Sequence, residues 1–158
     1  PVIKAAASLA PNGRMDERLG RSYFELGQYK NAIEALTKAL SRGGLKEPGF
    51  AQVLIGQSHF ELEDRAAARE AFRKAQDIRD GRAAANGWLQ LMKSQDDTAQ
   101  ALKCFNLTNR FTELDNEQKR CKQLAVFGDQ TPEACSTIEE RYVAATTAVN
   151  EAGCGRAT

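Results

Sequence analysis

Apolar and small residues in the first half of the chain recur with a period of 36. The stretch MDERLGRSYFELGQYKNAIEALTKAL, starting at Met15, returns as AQVLIGQSHFELEDRAAAREAFRKAQ, starting at Ala51. Leu19 is matched by Ile55, Gly20 by Gly56, Tyr23 by His59, Ala32 by Ala68, Leu36 by Phe72 and Ala39 by Ala75. A period of this size is the mark of an array of paired helices, each pair burying its apolar side on the next. The pattern predicts helices over 14–26 and 29–42, broken at Gly27-Gln28, then over 50–62 and 65–78. Between the pairs, Gly43 and Gly44 suit a left-handed helix end, and Pro48 suits the first position of the next helix. Gly20 has a packing reason. A residue without a β-carbon lets the paired helix approach closely, offsetting the roughly 1 kcal/mol that glycine costs inside a helix.

After Asp80-Gly81 the pattern predicts one more helix, 82–95, carrying Trp88 and Leu91. With no matching second helix behind it, its expected role is to cap the array. Asp96, Asp97 and Thr98 then supply an N-cap and acidic first turn for a new helix. This sets a boundary between residues 1–95, the repeat array with its cap, and 96–158, a separate C-terminal element.

In that element the apolar positions step by three and four: Cys104, Leu107, Phe111, Leu114, Gln118, Cys121 and Ala125 form one stripe. Gly128-Asp129-Gln130 reads as a loop, and Thr131-Pro132-Glu133-Ala134 as a helix start. A second stripe follows at Cys135, Ile138, Tyr142, Ala145, Val149 and Ala152. Two antiparallel helices sharing a seam is the natural arrangement. Cys135 and Cys154 on one continuous helix would lie about 28 Å apart, far beyond the roughly 7 Å between α-carbons that a disulfide spans. The same argument excludes Cys104–Cys121. Folding the chain at residue 128 opposes positions whose numbers sum to about 256, which sets Leu114 against Tyr142 and Leu107 against Val149. In that register Cys121 faces Cys135 and Cys104 faces Cys154. The remaining pairing, Cys104–Cys135 with Cys121–Cys154, would shear the helices out of it. The expected fold is therefore all-α: a helical-hairpin solenoid followed by an antiparallel hairpin stapled by two nested disulfides.

The repeats resemble the tetratricopeptide (TPR) pattern, in which a Leu-Gly pair and an aromatic sit on the first helix, and Ala, a large apolar residue and Ala on the second. That resemblance covers roughly residues 1–95 and implies a module that binds partner proteins. Ala5 lies 34 residues before Ala39, one ordinary TPR period. Residues 2–9 thus read as the second helix of a repeat whose first helix is missing. Such an edge would expose Ile3 and Ala5 to Ala7, and self-association through it is expected. The run LTKALSRGGLKEPGFAQVLIGQSHFELEDRAAAREAFRKA, followed by an Arg-Ala-Ala…Trp-Leu helix, is also similar to the C-terminal part of TPR proteins that accompany bacterial TonB–ExbB–ExbD energy-transduction systems. That similarity implies a periplasmic protein docking to envelope partners. The four-cysteine extension departs from that pattern.

Charge and composition narrow the function further. A formal net charge of +1 argues against a broad electrostatic surface for nucleic acid or anionic lipid. No apolar run approaches the roughly 20 residues of a membrane span. All four cysteines fall within residues 104–154, which points to disulfides and an oxidising compartment, such as the periplasm. No C-x-x-C knuckle supports zinc. The glycines at 43 and 44 lack the strand and the Gly-Lys-Ser/Thr element of a phosphate loop, and HExxH and GxSxG are absent. The single histidine, His59, occupies a helix-packing position. Neither catalysis nor a cofactor is expected.

TPR arrays line their concave side mainly with first-helix residues that face away from the packed Gly and Ala positions. Projected onto this chain, the rule gives Arg14, Glu17, Arg21, Phe24 and Glu25, then Phe50, Val53, Gln57, Phe60 and Glu61, with Leu89 and Lys93 from the capping helix. Phe24 and Phe60 hold equivalent places and are the expected anchors for a partner peptide or helix. The set does not match the Lys/Asn carboxylate clamp of chaperone-binding TPR domains, so no acidic chaperone tail is expected to bind. The expectation is a non-enzymatic envelope adaptor or scaffold, a component of a TonB-type transport system among the possibilities the resemblance raises. The alternative is an assembly spacer of a polysaccharide-export or lipoprotein complex, using convex surfaces and the hairpin.

Overall fold

A computed structural model of the chain describes residues 12–126 and 132–155. Among them are six helices and no strand: α1 (Arg14–Glu25), α2 (Tyr29–Arg42), α3 (Pro48–Glu61), α4 (Arg65–Gln76), α5 (Arg82–Val126) and α6 (Pro132–Glu151). The predicted helix at 2–9, with the apolar edge at Ile3 and Ala5 to Ala7, lies outside the described residues. So do the loop at 128–130, the N-cap Thr131 and the side chain of Ala125. The chain divides into two compact units, the first ending at Lys93 and the second starting at Ser94.

In the first unit α1 packs on α2, α3 on α4, and α2 on α3. The turns inside the two hairpins are related by the same 36-residue step as the core. Gly27 takes a left-handed backbone (φ 69°), and Glu63, its counterpart, takes φ 61° without glycine's freedom. Asp64 follows and caps α4 by accepting a hydrogen bond from the Ala67 amide at 3.1 Å. Gly43 and Gly44, both at positive φ, end α2, and Pro48 opens α3.

Two clusters hold the unit together. One gathers Leu36, Ala51, Leu54, Ile55 and Ala71, with Phe24, Ile33, Leu40 and Leu45 at its margin. The other gathers Val53, Ala68, Phe72, Ala75, Ala85 and Met92, with Phe60, Trp88 and Leu89 against it. The repeated glycines make room for the large residue of the opposite helix. A β-carbon at Gly20 would come within 2.6 Å of the Leu36 side chain, and one at Gly56 within 2.6 Å of the Phe72 ring. Trp88 of α5 stacks on Phe72 with ring centroids 5.5 Å apart and planes 4° from parallel. The start of α5 thus seals the end of the second hairpin.

One predicted helix start is absent. Asp96, Asp97 and Thr98 do not open a new helix: α5 runs through them without a break. No glycine or proline occurs between Gly87 and residue 127, so nothing forces the backbone out of the helical region. Thr98 turns its hydroxyl to the Ser94 carbonyl at 2.8 Å, one turn back, and the three side chains are exposed. A cap-forming sequence marks where a helix can begin, but without a breaker before it the helix simply continues.

The second unit is an antiparallel pair, α5 from Ser94 onward against α6. Cys104 is bonded to Cys154 and Cys121 to Cys135, with α-carbons 5.2 and 5.8 Å apart. Between the bonds, Phe111 meets Tyr142 with centroids 5.1 Å apart, and Leu114 and Val149 are buried. Gln100 donates to the Ala152 carbonyl at 2.6 Å, close to the outer bond.

Candidate protein-binding groove

The first turns of α1 place Arg14, Glu17 and Arg21 at positions three and four apart, hence on one face. Here they border an open cleft of about 620 Å³, completed by Asn12, Met15, Arg18 and, from the connection between α2 and α3, Lys46 and Glu47. Arg21 is the hinge of its chemistry. Its guanidinium bonds Glu17 at 2.6 Å and reaches Glu47 at 3.4 Å, and it lies 4.9 Å from the centre of the Phe50 ring on α3. The Nε of Arg21 is buried without a hydrogen-bond partner among the described residues. Arg14, Arg18 and Lys46 make no ion pair among those residues. Four cations and two carboxylates therefore border one concavity, and both carboxylates are engaged by a single arginine.

The tetratricopeptide repeat family model matches residues 17–42 and 51–81. The two hairpins, α1 with α2 and α3 with α4, are tetratricopeptide repeats. No curated protein and no solved structure matched the chain. In TPR terms Arg14, Glu17 and Arg21 belong to the first helix of one repeat, and Phe50 to the first helix of the next.

The other expected groove residues divide by burial. Val53 is a correction: it is 1% exposed and sits in the cluster of Phe72 and Met92, so it cannot line a surface. Its counterpart Glu17 borders the cleft and bonds Arg21 at 2.6 Å, whereas Val53 is enclosed by Ala68, Phe72 and Ala75 of α4 and by Ala85 and Met92 of α5. Phe24 is half-buried against the cluster of Leu36 and meets Tyr29 edge-on at 5.7 Å. Phe60 is half-buried against Trp88 at 5.4 Å, with the Arg65 guanidinium 5.6 Å from its ring centre. Both rings belong to the margin of the core, and neither lines the cleft. Gln57 is half-buried, and Glu25 and Glu61 are exposed at the ends of α1 and α3. Leu89 rests on the second cluster, and Lys93 is exposed at the end of the first unit.

Sequence reasoning missed Arg18, Met15, Lys46 and Glu47. Arg18 was open to discovery, being four residues after Arg14 and three before Arg21. The loop pair carries no helical period and gave no signal. His59 sits with its Nδ1 3.6 Å from Asp64, at the turn between α3 and α4, in keeping with a structural role. Among the described residues no helix is long and apolar enough to cross a membrane.

Proposed function

We propose that the chain is a non-enzymatic adaptor that holds a segment of a partner protein against the first helices of its two TPR hairpins. The observation that carries this reading is the cleft at Arg14, Glu17 and Arg21, joined through Arg21 to Phe50 of the following repeat. Phe50 is 37% exposed, an aromatic side chain at the surface beside charged neighbours, the composition of interaction hot spots. TPR hairpins are typically protein-interaction modules without catalytic chemistry. Two disulfides that take up all four cysteines support an oxidising compartment. Together with the resemblance of the repeats to TonB-associated TPR proteins, they favour the bacterial envelope and a partner from a transport system. A photo-crosslinking residue at Phe50 should capture the partner from periplasmic extract, whereas one at Phe105, exposed on the second unit, should not. Capture from position 105 alone would overturn the groove reading and favour a spacer that works through its hairpin.

A further inference from the structure

The cleft beside α1 differs in charge from the chain as a whole. The whole chain carries a formal +1. Arg14, Arg18, Arg21 and Lys46 against Glu17 and Glu47 leave an excess of two positive charges around this one opening of about 620 Å³. The pairing sharpens the excess. Both carboxylates are drawn to Arg21, so three cations from two different elements border the cleft without an ion pair among the described residues.

We infer that the cleft recognises an internal acidic segment of a protein partner, its Asp or Glu side chains meeting Arg14, Arg18 and Lys46, and not the terminal carboxylate that a Lys/Asn clamp would hold. This rests on the groove reading above and names the chemistry of its ligand. Guanidinium groups bind carboxylates with two parallel hydrogen bonds, a geometry that Arg14 and Arg18, one turn apart on α1, can offer to residues of an extended chain. A nucleic-acid strand is disfavoured on the same evidence. Glu17 and Glu47 stand in the cleft and would repel a phosphate backbone, and affinity for phosphates grows with the number neutralised, here few. The Phe50 ring beside Arg21 and Met15 in the lining supply apolar contact for the stem of a peptide side chain.

The opposed roles of the cations and of Glu47 make the test two-sided. Glu47 is exposed and reaches Arg21 at 3.4 Å, so Glu47→Gln releases part of the Arg21 charge toward the cleft. Fluorescence anisotropy with a labelled octaglutamate peptide on the full chain should show binding that weakens with salt. Affinity should fall at least about tenfold in the Arg14→Glu/Arg18→Glu/Lys46→Glu variant and rise about two- to threefold in Glu47→Gln. Far-UV circular dichroism of the triple variant should match the parent, because all three side chains are exposed and none makes an ion pair among the described residues. Equal binding of parent and triple variant overturns the inference, as does tighter binding of a single-stranded oligonucleotide of the same charge. The crosslink at Phe50 separates the two failures. If capture there persists in the triple variant, the groove stands and its acidic ligand falls; if capture at Phe50 never occurs while the peptide data hold, the adaptor reading falls.

Discussion

Removing the disulfides should melt the second unit while leaving the TPR hairpins folded. Among the described residues of that unit only Leu114, Cys121 and Val149 are buried, and full burial of a Leu or Val side chain is worth about 1.5–3 kcal/mol. A two-helix hairpin with so little enclosed surface depends on its cross-links. The sequence separations are 14 for Cys121–Cys135 and 50 for Cys104–Cys154. In the chain-entropy model the inner bond then contributes about 3 kcal/mol and the outer, standing alone, about 4 kcal/mol. Because the bonds are nested, a closed inner loop shortens the free length inside the outer one to about 36 residues, which lowers its share only to about 3.8 kcal/mol. The two contributions therefore nearly add. Urea unfolding of Cys104→Ala/Cys154→Ala and of Cys121→Ala/Cys135→Ala, followed by far-UV circular dichroism, should show the larger loss for the first pair. With dithiothreitol, hydrogen exchange should find α6 unprotected while α1 to α4 keep their protection. If the reduced protein protects α6 as fully as the oxidised one, packing alone holds the hairpin and the reasoning fails.

Three further outcomes are expected in the first unit. Gly49→Ala should cost about 3 kcal/mol in urea unfolding, at the top of the range for overpacking, because the new β-carbon would lie within 2.8 Å of the Gly81 α-carbon, backbone that cannot rotate away. Asp16→Asn should cost about 1–3 kcal/mol by thermal denaturation: the carboxylate is 1% exposed and is held by Arg42 at 2.7 Å and Lys38 at 3.3 Å, but both cations are partly exposed and recover water. Glu63→Gly should stabilise by about 1 kcal/mol, since it removes a left-handed non-glycine residue; an unchanged midpoint would show that the strain is relieved elsewhere.

The TPR core was legible because packing there repeats. Gly20 with Leu36 and Gly56 with Phe72 are the same contact made twice, and a contact made twice leaves its spacing in the sequence. The hairpin was legible for a different reason: helix geometry forbids most cysteine pairings, and the seam of Leu114, Tyr142 and Val149 selects the register. The continuity of α5 was not legible, because Asp96 to Thr98 have the composition of a helix start and the decisive fact was the lack of any breaker over 88–126. Gly49 falls just before the helix predicted over 50–62, in the connection between the repeats. It lies 36 residues after Gly13, and each packs against the backbone of another segment, Gly13 on Ala39 and Gly49 on Gly81. That repeat was visible in the sequence but could not be told from turn chemistry.

The groove was the least legible part, and the reason is physical. Projection from helix periodicity treats equivalent positions as equally exposed, yet exposure depends on how many neighbours an element has. Glu17 and Val53 are equivalent by the 36-residue step, but Val53 lies where α4 and the start of α5 close on α3 and is consumed by the core. Phe24 and Phe60 likewise spend much of their surface on Tyr29 and on Trp88, so truncating either would remove core contact along with any ligand contact. Variants at these rings would confound folding with binding. What distinguishes the cleft is charge at exposed residues outside the core clusters: Arg14 and Arg18 on α1 and Lys46 in a connection with no period at all. Residues free of packing duty are the ones a sequence pattern constrains least. They are also the ones whose substitution tests binding without disturbing the fold.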